Sequence, residues 1–370
     1  MAQRRSAGAA GCAPGGVAGG GADSYRAAMP FARLVAAAFA AALPLAFASA
    51  QTKPTLRVFL LAGQSNMEGH GVVDLDDARD YNGGKGTLAR FLADPSVAAR
   101  WPELRRPDGG WHVRDDVFVR YVAEHGTVKA GPLSVGFAVY DDAHHFGPEL
   151  GLGRQLGRRW QDPVLLVKTA WGGKSLAVDF RPPGAGGAVG PYFTRMLADY
   201  RAALAALPRE FPQFAADYET ALQGVVWFQG WNDGCDDAAA AAYHENLVQL
   251  ILDVRAELGD DTLPFVVGET GNMDNATLRQ GQRDGCADPR VGPYVRFVPT
   301  RDFLRRPEES PNTGHGHHWF GNGESYLRVG DALGAAIGEL VDQRMAWRAS
   351  RRRAEQGAQA HGRAADRAGR

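Results

Sequence analysis

The alternation of short apolar runs with amphipathic stretches most constrains the fold of this 370-residue chain. Continuously apolar, β-rich runs occur at 56–62, 164–170, 224–228, 265–268 and 294–298. Continuous apolar character is typical of strands buried on both faces, as in a parallel sheet. Apolar residues at three-to-four spacing predict helices at 149–160, 191–206, 238–258 and 324–347. The sequence therefore predicts an α/β protein, a three-layer α/β/α sandwich around a mainly parallel, five-stranded sheet.

Two segments interrupt this alternation. Residues 68–147 are rich in Gly, Asp and Trp, and they predict a long insertion with a few extra strands. Insertions at the carboxyl ends of parallel strands commonly shape substrate pockets. Residues 348–370 hold seven Arg against Glu355 and Asp366, which predicts a disordered basic tail rather than a tether to an anionic surface. The predicted folded domain is residues 51–347.

Residues 1–50 predict an N-terminal extension that carries a secretory signal. The apolar run 34–48 follows Arg33 and ends in Ala48-Ser49-Ala50. A basic flank, a short apolar core and an A-x-A end are typical of a cleaved signal peptide, and the run is too short to span a membrane. Met29 is the better candidate for the true start, because a Gly/Ala-rich leader fits poorly before such a signal. A secreted or periplasmic protein without stable membrane insertion is expected.

The net charge bears on the kind of partner, and the cysteine content bears on whether a disulfide can form. Formal net charge is −1, so nothing in the charge balance predicts a nucleic-acid partner. After cleavage of the signal, Cys235 and Cys286 remain, and in an oxidising compartment they form either one disulfide or two separate buried thiols. Oligomeric state leaves no signal in the sequence.

The first predicted strand runs directly into Gly63-Gln64-Ser65-Asn66-Met67. A serine in the turn after a buried strand lies at the carboxyl edge of the sheet, where open α/β sheets bind ligands. Gly63 permits a sharp bend, and the amide of Ser65 or Asn66 can face a developing oxyanion. The α/β-hydrolase elbow G-x-S-x-G is not met, because Met67 stands at its last position.

Two further turns follow predicted strands. Gly172 and Gly173 come after the second strand, where they form either a simple tight turn or a site with backbone N–H groups open to a ligand. Asn232 comes after the third strand and is either part of an ordinary Asn-Asp-Gly turn or a neutral donor able to hold an oxyanion.

Three histidines stand just before the last predicted helix, at His315, His317 and His318. A histidine at this place can reach the end of the first strand and act as a base. A metal site and a solvated loop are the competing interpretations. The three spacings are not those of a standard ligand set, and no Asp or Cys cluster is close in sequence, so no metal or other cofactor is predicted.

Along the chain, the candidate residues follow the order Ser, Gly, Asn and His. This order resembles that of the SGNH hydrolase superfamily, whose four sequence blocks contribute these four residues and which has a flavodoxin-like fold. The chain is most similar to its sialate O-acetylesterase-like group, which includes carbohydrate esterase family 6. The matching pieces are FLLAGQSNMEGHG (59–71), FGPELGLG (146–153), AWGGKSL (170–176), GVVWFQGWND (224–233) and HHWFGNGESYLRVGDALG (317–334).

The resemblance implies a role for each matched residue. Ser65 would be the nucleophile, and its amide, the backbone of Gly172 or Gly173, and Asn232 would form the oxyanion hole. His318 would be the base because Trp319 follows it, with His317 as the fallback. Family members place Asp three residues before the base, but here that position is His315. The acid would then be Asp302 or Glu324, or a backbone carbonyl would fix the imidazole of a Ser–His dyad.

Aromatic residues within these blocks point to a carbohydrate substrate. Trp171, Trp231 and Trp319 can stack on sugar rings, and Gln64 and Gln229 are predicted to contact the substrate beside them. The expected function is a secreted serine esterase that removes O-acetyl groups from carbohydrate. The alternatives are a broader SGNH esterase or lipase acting on non-sugar esters, and a carbohydrate-binding relative that has lost catalysis.

Overall fold

The structure is a computed structural model that describes residues 53–214 and 216–368. The predicted signal peptide and start site within residues 1–50 lie outside the described residues. The strands are β1 (Thr55–Gly63), β2 (Gly71–Val72), β3 (Val117–Val122), β4 (Val128–Pro132), β5 (His145–Phe146), β6 (Val164–Ala170), β7 (Glu219–Phe228), β8 (Phe265–Gly268) and β9 (Val295–Val298). The α-helices are α1 (Ser65–Glu68), α2 (Leu88–Phe91), α3 (Pro95–Ala98), α4 (Glu149–Gly157), α5 (Pro191–Glu210), α6 (Trp231–Gly234), α7 (Asp237–Leu258), α8 (Ala276–Ala287) and α9 (Gly323–Ala368).

A single large sheet with strand order β4-β3-β6-β1-β7-β8-β9 forms the centre of the molecule. All five predicted strands are present and parallel, but the sheet has seven strands rather than five. The predicted insertion supplies the other two: β3 pairs parallel with β6, and β4 closes the edge antiparallel to β3. Arg120 interrupts the apolar run of β3, and its burial is offset by an ion pair with Glu210 at 2.6 Å.

Helices cover both faces of the sheet, as the three-layer prediction requires. Along β1, Val58 and Leu60 face one core, which α5 and α7 complete. Phe59 and Leu61 face the other core, which α4 and α9 complete. Every side chain of this central strand from 58 to 61 is thus buried, which explains its continuous apolar character.

The last helix extends well beyond its predicted end at 347. It continues to Ala368, so residues 348–368 are helical where the sequence predicts a disordered tail. Alanine, arginine, glutamate and glutamine dominate this stretch and favour helix, and Arg351 pairs with Glu355 one turn away. Within the described part of the chain, no helix combines the length and apolar character needed to cross a membrane.

The two cysteines of the folded domain are both free thiols. Cys235 is exposed and Cys286 is buried, where desolvation raises the pKa of its thiol to about 12. Of the two alternatives left open by the sequence, the structure has separate thiols, although only one of them is buried.

Candidate active site

The turn after β1 carries Ser65 at the first position of α1. Gly63 adopts a φ of 152°, and a Cβ at this position would lie 2.2 Å from the carbonyl oxygen of Phe228. Only glycine allows β1 and β7 to approach this closely before the chain turns. The turn places Ser65 at the carboxyl edge of the sheet, as predicted.

The segments after β6 and β7 join this turn through side-chain amides. The Asn232 Nδ2 group donates to the carbonyl oxygen of Gly173 at 2.6 Å. Gln64, beside the serine, accepts from the backbone N–H groups of Gly230 at 3.1 Å and Asn232 at 3.3 Å. The predicted serine, glycine and asparagine segments are therefore connected, and Gln64 is buried as the residue that connects two of them.

The histidine segment is fixed to the same edge by its backbone. The carbonyl oxygen of His317 accepts from Asn66 Nδ2 at 3.1 Å and from Asn272 Nδ2 at 3.0 Å. Trp319 and Phe320 follow with a φ of 54° each, a left-handed conformation that is costly for residues with a side chain. Surrounding contacts therefore hold this loop in a defined, strained shape.

His318 lies among other imidazoles rather than beside an acid. Its ring stacks on His70 with centroids 3.6 Å apart, and the His317 ring lies 4.1 Å away. Burial, followed by His317 and His315, lowers the pKa of His318 to about 3, so its imidazole is neutral at neutral pH and its protonated form is disfavoured. Across residues 53–214 and 216–368, the Ser65 hydroxyl forms no hydrogen bond with an imidazole. The two side chains would have to approach each other when substrate binds.

Neither acid proposed from the sequence orients His318. Glu324 is neutralised by Arg305 at 2.8 Å and Arg328 at 2.7 Å. Asp302 lies exposed on a short 3-10 turn, Arg301–Phe303. No carboxylate within the described residues hydrogen-bonds the His318 ring, which corrects the prediction that one of these two residues is the third member of a triad.

Two of the three tryptophans predicted to stack on sugar are core residues. Trp171 and Trp319 are 0% and 1% exposed, because Trp171 packs on Phe180 and Trp319 faces Phe228. Gln229 is also buried and bonds within the protein. Trp231 is half-buried, with its ring 5.9 Å from that of His317. The proposed stacking role is therefore contradicted for Trp171 and Trp319, and Trp231 alone remains available.

Sequence reasoning missed a buried polar group beneath the serine turn. Glu68 is 3% exposed and accepts from the Tyr121 hydroxyl at 2.8 Å. Burial raises the pKa of its carboxyl to about 7, although hydrogen bonds from Tyr121 and the Gly172 amide oppose this shift. The Gly172 amide, a predicted oxyanion donor, thus faces a carboxyl group. Glu68 stands inside the quoted serine block, but no spacing rule marks it as functional.

The buried Lys168 connects the Glu68 backbone to the carboxylate of Glu149. Lys168 donates to the carbonyl oxygen of Glu68 at 2.8 Å and pairs with Glu149 at 2.7 Å, with both charged side chains 0% exposed. The sequence places Lys168 inside an apolar strand and Glu149 at a helix start, so only the fold brings their charges together.

Asp233, which follows Asn232 in the sequence, also fixes a loop at this edge of the sheet. Its carboxylate accepts from the backbone N–H groups of Leu176 and Ala177, each at 2.8 Å. This fixes the loop that follows Gly172 and Gly173. The residue stands in the WFQGWND block, but its role depends on a loop 56 positions away in sequence.

The central sheet with helices on both faces is consistent with the α/β/α sandwich of SGNH-like hydrolases. Comparison with known proteins assigns the chain to a family. Residues 55–323 match the family described as carbohydrate esterase, sialic acid-specific acetylesterase. The chain belongs to this family and is a carboxylic ester hydrolase.

Solved structures similar to this chain have low sequence identity to it. A protein from Arabidopsis thaliana is 16% identical with a TM-score of 0.49, and the match covers 77% of this chain and 98% of that one. XAC1771, a carbohydrate acetylesterase from Xanthomonas citri, is 19% identical with a TM-score of 0.44, covering 77% and 57%. NanS is 15% identical with a TM-score of 0.42, covering 67% and 79%. No curated protein matches this chain.

Proposed function

We propose that the protein removes O-acetyl groups from carbohydrate, with Ser65 as nucleophile and His318 as base. The observation that carries the proposal is the hydrogen bond from Asn66 Nδ2 to the His317 carbonyl oxygen at 3.1 Å. It joins the residue after the serine to the residue before the histidine, across the same sheet edge that holds Asn232. Membership of the carbohydrate esterase family supports the acetyl group as the part that is removed.

The reaction would be a two-step acyl transfer. His318 accepts the Ser65 proton as the serine oxygen attacks the ester carbonyl, and the resulting imidazolium returns that proton to the sugar oxygen that leaves. Water then attacks the acetyl-enzyme with the same imidazole as base. His318 is neutral, as the first step requires, and because its pKa is lowered, the imidazolium formed in that step needs stabilisation from its surroundings.

Three donors would hold the negative charge that develops on the carbonyl oxygen. The Ser65 backbone amide and the Asn232 side-chain amide are two of them. The Gly172 amide is bonded to Glu68, whereas a Cβ placed at Gly173 would meet no heavy atom within 4 Å. Open space beside Gly173 supports its amide as the third donor.

The surroundings of the histidine loop support a carbohydrate as the leaving group. Trp231 offers a partly exposed aromatic face beside His317, which suits a sugar ring. A cavity of about 240 Å³ adjoins His315, and the groups lining it are mostly polar: Arg79, Asp80, Asn82, Asn312 and Thr313. Side chains of this kind form hydrogen bonds with hydroxyl groups.

Acetate release tests the proposal. The purified chain, Ser65→Ala, His318→Ala and His317→Ala are compared on 4-nitrophenyl esters of increasing chain length, acetylated xylan and O-acetylated sialic acid. Loss of turnover in Ser65→Ala and His318→Ala, with acetyl esters preferred, is expected. Preference for long acyl chains would favour a general esterase. Sugar binding without turnover, unchanged in Ser65→Ala, would favour a binding protein.

We also propose that the protein is exported, on the basis of the basic, apolar and A-x-A pattern at 33–50. Expression of the full chain in a bacterial host, followed by fractionation and N-terminal sequencing, tests this. The expected mature N-terminus is Gln51. An uncleaved chain that stays in the cytosolic fraction contradicts the proposal.

A further inference from the structure

Among the residues that the structure describes, no carboxylate hydrogen-bonds His318 in the way that normally stabilises the protonated base of a serine esterase. The nearest ring neighbour of His318 is instead His70, which lies two residues after α1. The rings are nearly parallel, with an interplanar angle of 10° and centroids 3.6 Å apart. Such a stack presents the π face of one imidazole to the other over its whole area.

His70 is itself held firmly in this position. Its Nδ1 atom lies 2.9 Å from the Tyr140 hydroxyl, and its backbone amide bonds the Tyr326 hydroxyl. Tyr140 in turn stacks on His145 at 3.8 Å, and Asp142 lies 2.9 Å from His145 Nδ1. The segment 140–146 of the insertion therefore supports the edge of the His70 ring, whereas His318 stacks on its face.

The surroundings of His70 keep its ring neutral. It is 8% exposed, and burial together with the neighbouring imidazoles lowers its pKa well below the usual value. Its Nε2 atom is buried and has no hydrogen-bond partner within the described residues. A neutral aromatic ring attracts a cation placed over its face, and most strongly where water is excluded.

We propose that His70 is a positioning residue for the base: its neutral ring orients the His318 imidazole and stabilises the imidazolium that forms when His318 accepts the Ser65 proton. This rests on the proposed function, and it assigns to an aromatic face the part that the absent carboxylate plays elsewhere. The stabilisation arises only while the proton is on His318, so it acts on kcat rather than on substrate binding.

Three substitutions of His70 distinguish the effect of its aromatic face from the effects of its volume and of its hydrogen bond to Tyr140. His70→Phe keeps an aromatic face without ring nitrogens, His70→Leu keeps apolar bulk alone, and His70→Gln keeps a partner for Tyr140. A desolvated cation–π contact corresponds to roughly a thirtyfold change in rate. We expect kcat to fall about thirtyfold in the Leu and Gln variants with KM nearly unchanged, whereas the Phe variant stays within about threefold of the parent.

Controls make each outcome decisive. His112→Leu changes an exposed histidine and should leave kcat unchanged, and thermal unfolding verifies that each variant is folded. Equal activity in His70→Leu and His70→Phe, parent-like activity in His70→Gln, or an equal loss in all three overturns the role of the aromatic face. If His70→Leu or His70→Gln does not fold, the comparison of the other one with His70→Phe still tests the role of the aromatic face. A parent as inactive as Ser65→Ala would instead refute the proposed function.

Discussion

The side-chain amide of Asn66 donates to the backbone carbonyl of His317, which links the neighbour of the proposed nucleophile, Ser65, to the neighbour of the proposed base, His318. Tyr326 donates to Asn66 Oδ1 at 2.9 Å, so the asparagine is itself fixed by α9. Two elements separated by most of the chain are thereby held in register at one sheet edge. The placement of the base relative to the serine turn therefore depends on this side chain.

Removal of Asn66 should impair turnover more than binding. Asn66→Ala frees the His317 carbonyl from one of its two donors, so a drop in kcat of up to about 10² is expected, since small misplacements of catalytic groups are that costly. Asn272→Ala removes the other donor. Because both amides act on one carbonyl, the double variant should lose more than the two single losses combined. Strictly additive losses in steady-state kinetics would contradict the shared role.

Asn232→Ala should lower kcat by about 10² to 10³, because one oxyanion donor is lost, with little change in KM. The matched control is Gln280→Ala, which removes an exposed amide on α8 that bonds Asp284. Initial rates on 4-nitrophenyl acetate over a range of concentrations are sufficient for both variants. A rise in KM at constant kcat would mean that Asn232 binds the ground state instead.

Lys168→Met should destabilise the protein by about 3–5 kcal/mol, because it leaves the Glu149 carboxylate buried without its partner. The double variant Lys168→Met/Glu149→Gln should recover part of this loss, since the introduced amide would keep an acceptor for the Gly147 backbone N–H without a charge. Urea unfolding measures both free energies. Lys85→Met, on an exposed lysine, should stay within about 0.5 kcal/mol of the parent. A full loss in the double variant would show that packing, not charge, dominates.

Glu68 should make the free energy of unfolding fall as pH rises. Its pKa is raised from 4.5 to about 7 by burial, so the folded state holds this proton more tightly than the unfolded state. The stabilisation is complete below about pH 4.5 and is lost as pH rises through about 7. The shift corresponds to at most about 3 kcal/mol.

Glu68→Gln tests this, because the amide stays neutral at every pH. The difference in unfolding free energy between the parent and Glu68→Gln should therefore change between pH 4.5 and pH 8 in favour of the variant. Glu219→Gln, which changes an exposed glutamate, serves as the control. A constant difference across that range would mean that Glu68 is already ionised when folded.

Local sequence was enough to locate the five predicted strands and the turns that carry the candidate residues. Residues 164–170 and 265–268 were predicted at their observed bounds, because strands buried on both faces leave a continuous apolar signal. Strand β3 and the edge strand β4 left a weaker signal, since Arg120 interrupts β3 and β4 is largely exposed. Ser65 and Asn232 were predicted as site residues because each follows a buried strand and a glycine.

What the sequence determined by itself was the order of buried strands, their helices and the turns that end them, because hydrophobic periodicity and glycine conformations act over a few residues. Tertiary structure alone decided which groups surround those turns. Glu324 was a plausible acid in sequence, yet two arginines neutralise it, and Trp171 was a plausible sugar platform, yet it is buried. The stack of His70 on His318 and the Lys168–Glu149 pair join residues far apart in the chain. Burial and charge pairing depend on such distant neighbours, so no local pattern contains them.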